Sequence, residues 1–208
     1  MGIRALAPPS IIALILVSSA NSQQSANSPN LAKSLCDIDQ LRRERAINMV
    51  TRSPDRYLPL LLEWTRNPPP GIGLGSTNFD VSLAEIFGRL RTTEAVPFLI
   101  DHITVVGGAS ASIWNRRIEI IEKNLPAIHA LVEIGSPATP PLVAALDRMP
   151  YRSGGPAYEQ RFAIVVALAL MKDPQAAPAL RKELARPTRE RRLAHDALEE
   201  MGLLPRQN

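Results

Sequence analysis

The sequence has a single cysteine, Cys36, so no intrachain disulfide can hold the fold together. Aromatic residues are scarce at 4%, and the apolar content of 45% must come from Leu, Ile, Val and Ala. A core of that make-up suits helices better than sheets, because strands favour aromatic and β-branched residues. No HExxH, no CxxC, no acidic calcium-type loop and no Gly-x-Ser-x-Gly elbow occurs. The three histidines, His102, His129 and His195, are scattered along the chain. No catalytic, cofactor-binding or metal-binding residue is therefore expected, and no cofactor. Charge of one sign is also lacking: 24 basic residues meet 20 acidic ones, for a net +4. That balance is a weak lean toward an acidic partner and no argument for nucleic acid.

What is present begins with a leader. "MGIRALAPPSIIALILVSSA" has one basic residue, Arg4, an apolar run over 11–17, and Ser18 and Ala20 at the −3 and −1 positions of a cleavage site. The run is too short to span a bilayer stably and reads as a secretory signal over 1–20. A secreted or periplasmic protein follows, with membrane contact only through an uncleaved N-terminal segment. Residues 21–35 read as a flexible polar tether, and residues 36–208 as one domain. Cys36 is expected to pack as a small apolar residue.

The domain repeats itself. "TTEAVPFLIDHI", "GSPATPPLVAAL" and "KDPQAAPALRKEL" share a polar turn, then Ala, a small or β-branched residue, Pro, any residue and Leu. Pro97, Pro140 and Pro178 mark the register, and Pro59 marks a degenerate first copy, at spacings of 38, 43 and 38 residues. Proline has no N–H to lose in the first turn of a helix, and its fixed φ is already helical. Each proline cluster therefore marks where one helix ends and the next begins. Gly135 suits a left-handed C-terminal cap, and Ser136 and Asp173 suit N-caps. The helices before these turns repeat as well, with Phe87, Leu131 and Leu168 at equivalent inner positions and "LAHDALEEM" as a last copy. Helices are predicted over 36–51, 55–66, 79–91, 94–104, 117–134, 137–148, 157–171, 174–185 and 189–202. Nothing reads as a strand.

At these residues the sequence resembles the HEAT-repeat family, in particular the short HEAT-like repeats of the bilin lyase type. "IGSPATPPL" carries the resemblance best; Arg161 and Arg191 stand at the family's Arg position, and Asp173 and Pro174 at its Asp-Pro. Asn124 and Asp80 replace that Arg in two copies, so the ladder of Asp–Arg bonds that the resemblance implies would be incomplete. The implied fold is all-α: an α-solenoid of about four HEAT-like helix pairs with an N-terminal capping helix, each pair burying its apolar face on its neighbours.

Loop lengths are asymmetric. Turns into the proline-marked helices are short, whereas "NPPPGIGLGSTN", "VVGGASASIWNR" and "MPYRSGGPA" leave them. Equivalent turns of a solenoid project from one edge, so these loops form a rim. Trp114, Asn115, Arg116, Tyr151 and Arg152 on that rim are the expected partner-binding residues. "GIGLG" lacks the Lys-Ser/Thr and preceding strand of a phosphate loop and reads as a turn. "RRER" and "RERR" read as solvated faces, and His129 with Glu133 as a surface pair. The function expected is an exported, non-catalytic scaffold binding a protein or peptide. The alternatives that the resemblance admits are a bilin lyase-type enzyme and a HEAT-like nucleic-acid binder of the DNA glycosylase kind.

Overall fold

The computed structural model describes residues 30–73, 77–105, 124–149, 155–186 and 189–205, and its described elements are all helical. A short helix α1 over 30–35 leads into α2 (Gln40–Arg52), α3 (Pro54–Trp64), α4 (Thr77–Arg89) and α5 (Val96–Asp101). Then come α6 (Pro126–Ile134), α7 (Thr139–Arg148), α8 (Pro156–Met171), α9 (Ala177–Leu184) and α10 (Arg189–Glu200). The helices α2, α4, α6, α8 and α10 pack side by side in chain order. Helices α5, α7 and α9 pack in a second row, and each also rests on the next helix of the first. This is an all-α solenoid of stacked helix pairs. No helix among the described residues is long and apolar enough to cross a membrane.

The proline rule explains the second row. Pro97, Pro140 and Pro178 each occupy the second residue of their α-helix, where a missing N–H costs no hydrogen bond. Each helix is entered through a 3₁₀ turn: Thr93–Ala95, Ser136–Ala138 and Pro174–Ala176. The leucine two residues after each proline, Leu99, Leu142 or Leu180, is fully buried, and so is Leu61 after Pro59. Burial therefore supports the Pro59 register. Helix α3 nevertheless starts five residues earlier, at Pro54, which leaves Pro59 exposed inside the helix.

The first row supplies most of the core. Phe87, Leu131, Leu168 and Leu198 are all fully buried at matching positions. Helix α8 is buried over every residue from Arg161 to Ala169, because α6, α7, α9 and α10 all pack on it. Such a helix has to be apolar nearly all round.

Several expectations need correction. Residues 30–35 are a helix and not tether: Leu31, Ala32 and Leu35 form a short apolar stripe buried in the core. Residues 36–39 are a turn, so the long first helix starts at Gln40, capped by the Asp39 carboxylate on the N–H of Leu41 at 2.9 Å. Of the helix expected over 117–134, Asn124 is helical, Leu125 breaks the run and Pro126–Ile134 is a helix, while 117–123 lie outside the described residues. Gly135 has φ 76° and ψ −148°, a glycine conformation other than the left-handed helical cap. Ser136 sits inside the 3₁₀ turn, while Asp173 does cap, its carboxylate accepting from Gln175 N–H at 2.9 Å. Cys36 packs partly buried against the core, as expected.

Candidate functional site

Trp114, Asn115, Arg116, Tyr151 and Arg152, the loop-rim residues expected to bind a partner, lie outside the described residues. A concave feature formed by the described residues lies in the first row, between α4 and α6. It is a groove of about 380 Å³ lined by Ala84, Glu85, Gly88, Arg89, Pro126, His129, Ala130 and Glu133.

Its floor follows from one glycine. A Cβ on Gly88 would lie 2.8 Å from the Cα of Ala130, so only glycine lets α4 and α6 approach this closely. Ala84 and Ala130 keep the rest of the floor small and buried. Because i and i+4 share a helix face, Glu85 and Arg89 form one wall, and His129 and Glu133 the other.

The walls are charged and unequally tied. Arg89 donates to Glu44 Oε1 at 2.8 Å and to Asn48 Oδ1 at 3.0 Å, both on α2, and also to Glu85 one turn back. Burial alone would lower the Arg89 guanidinium. The hydrogen bond to Glu44 and the charges of Glu85 and Glu44 outweigh it and hold the group above its ordinary value. Across the groove His129 Nε2 lies 3.9 Å from Glu133 Oε1, both half-exposed, matching the surface pair read from the sequence. One wall is thus braced by a neighbouring repeat, while the other stays open to solvent.

The remaining ionisable groups build the repeat rather than a site. Arg161 is buried, donates to the carbonyls of Leu146 and Met149 at 3.0 and 3.2 Å, and pairs with Glu183 of the same repeat. Asp173 accepts instead from the Thr139 hydroxyl of the preceding repeat at 2.7 Å. The ladder between repeats therefore has an Asp–Thr rung where the resemblance implied Asp–Arg. Arg191 is exposed and takes no part in it, because its place on α10 faces solvent. "RERR" is not wholly a solvated face: Glu190 is fully buried near Glu183, and both its oxygens lack a hydrogen-bond partner among the described residues.

His195, Asp196 and Glu199 bring three possible ligand atoms within 4.8 Å of one another on α10. The spacing His-x-x-x-Glu, shared with His129 and Glu133, was the available sequence signal. The groove itself had a fainter one, a glycine inside an otherwise helical pattern at 88.

Residues 160–186 match the model of the family described as PBS lyase HEAT-like repeat. The matched repeat is HEAT-like. The matched segment runs from the buried face of α8 through the Asp173 cap to the end of α9, so it covers one helix pair of the solenoid. The other pairs join that HEAT-like unit through the same proline register and the same buried leucines. No curated protein and no solved structure matches the chain significantly.

Proposed function

We propose that this HEAT-like solenoid is an exported, non-catalytic scaffold that docks a protein or peptide partner in the groove between α4 and α6. The observation that carries the reading is the groove's construction. Gly88 and Ala130 bring α4 and α6 together as its floor, and Glu85, Arg89, His129 and Glu133 offer polar partners along both walls. Its size is that of a binding cleft. Arg89, held by α2, is pre-ordered, so binding loses little side-chain entropy there. Trp114, Asn115, Arg116, Tyr151 and Arg152 are proposed to extend the contact from the loops. Export rests on the N-terminal pattern over 1–20, and a secreted or periplasmic location follows from it. The alternative, a bilin lyase-type enzyme, draws its support from the repeat match itself.

Selection of a random-peptide library against the full chain tests docking. Selected peptides should bind Glu85→Arg/Glu133→Arg at least about tenfold more weakly, a loss of roughly 1.4 kcal/mol. Equal affinity for the variant would overturn the groove. For export, intact mass of secreted material should place the mature start at or near Asn21; retention of Met1 in a membrane fraction contradicts cleavage.

A further inference from the structure

Among the described residues helix α2 ends the first row, and no helix of that row covers its outer side. Its buried residues, Ala46, Ile47 and Val50, face α3 and α4. The opposite face, by helical periodicity, carries Leu41, Arg42, Arg45, Met49 and Arg52, and no carboxylate of the helix falls within it. Leu41 is 70% exposed and Met49 44%, and Ile38, just before the helix, is 91% exposed. Large apolar side chains held this far into water at one end of a fold mark a contact surface. The cations beside them are unequally paired. Arg42 reaches Asp37 and Asp39 at 3.6 and 3.5 Å, but Arg45 and Arg52 make no ion pair among the described residues.

We propose that this outer face of α2 binds the surface of an anionic lipid bilayer. The charge matches along α2: Arg45 and Arg52 lie beside Leu41 and Met49 without an ion pair among the described residues, so each can reach headgroup phosphates while its stem lies along the acyl boundary, whereas Asp37 and Asp39 flank Ile38 and hold Arg42. The shape matches too. Leu41 and Met49 stand about two turns apart, so Arg42 and Arg45 separate the two apolar side chains along the helix. A bilayer accepts separate protruding side chains without shape complementarity, whereas a protein interface needs a packed central patch. The site is distinct from the groove between α4 and α6 and does not depend on it.

Co-sedimentation of the full chain with vesicles of phosphatidylcholine alone, or with about a quarter phosphatidylglycerol, tests the proposal. Wild-type protein should be captured by the anionic vesicles and released by raised salt. Arg45→Glu/Arg52→Glu and Ile38→Ser/Leu41→Ser should each weaken capture by more than about tenfold. Both variants keep the N-terminal apolar run and alter only solvent-facing positions, so their circular dichroism should equal wild type; Arg45→Lys/Arg52→Lys should restore capture. Equal capture by neutral vesicles, undiminished capture of the variants, or no capture of the wild type overturns the proposal. A dimer that Ile38→Ser/Leu41→Ser abolishes would assign the face to a second copy and overturn it as well.

Discussion

Arg161 on α8 and Glu183 on α9 form an ion pair inside one helix pair, with each side chain only 2% exposed. Eighty-one residues earlier, at the equivalent places, Asp80 and His102 stand 3.9 Å apart with the acid on the first helix and the base on the second. Two repeats thus place ionisable partners at the same seam with reversed polarity, and the repeat between them has Asn124 and Ala145 there. Removing one member of a buried pair strands the other's charge. Arg161→Ala should therefore cost about 3–5 kcal/mol, read from urea unfolding midpoints. A loss near that of a surface change, under roughly 0.5 kcal/mol, contradicts the buried pair.

The pH dependence of two buried acids should run in opposite directions. Desolvation, with the nearby Glu190 and Asp147, pushes the Glu183 carboxyl above its ordinary value against the pull of Arg161. A carboxyl raised on folding adds stability that is full below its unfolded value and lost as pH rises through the folded one. For Asp173 burial acts upward, but hydrogen bonds from Gln175 N–H and the hydroxyls of Thr139 and Ser136 outweigh it and hold the group low. Its stabilisation is present above the unfolded value and lost as pH falls through the folded one. Denaturation midpoints should lose the first trend in Glu183→Gln as pH rises above 4.5, and the second in Asp173→Asn as pH falls below 3.8. Unchanged pH profiles in both variants contradict these assignments.

The Asp173–Thr139 bond joins successive repeats. A double-mutant cycle of Asp173→Ala and Thr139→Val should give a coupling of about 1 kcal/mol. Additive losses mean that the rung carries no energy between repeats.

Gly88 and Ala130 test the closeness of α4 and α6. Gly88→Val should destabilise by about 1–3 kcal/mol through overpacking against Ala130, despite the better helix propensity of most residues over glycine. Ala130→Gly should recover part of the loss in the double variant. Thermal melting of the four proteins reads both effects; a stabilised Gly88→Val contradicts the close approach.

The repeat was legible because three prolines fix where helices begin, and a proline at the second position needs no partner. Pro59 shows the limit of that signal. Its leucine is buried in register, but Pro59 itself does not mark the helix start, which falls at Pro54, one residue from the predicted 55. The polar ladder was hidden because charge in "RKEL" and "RERR" reads as solvated until the helices are stacked, and only then are Glu183 and Glu190 enclosed. Helix α1 was missed because two leucines four apart make too short a stripe to stand out from a polar tract. The groove left only the glycine at 88 as a signal: Gly88 and Ala130 lie in different repeats, and their contact depends on how α4 crosses α6.

Hydrogen–deuterium exchange of the full chain, with and without a saturating selected peptide, tests the docking account most directly. The account predicts slowed exchange over 84–89 and 126–133, the two walls and floor of the groove, with the rest of the first row unchanged. Protection confined to other segments, 105–116 and 149–157 included, would contradict it.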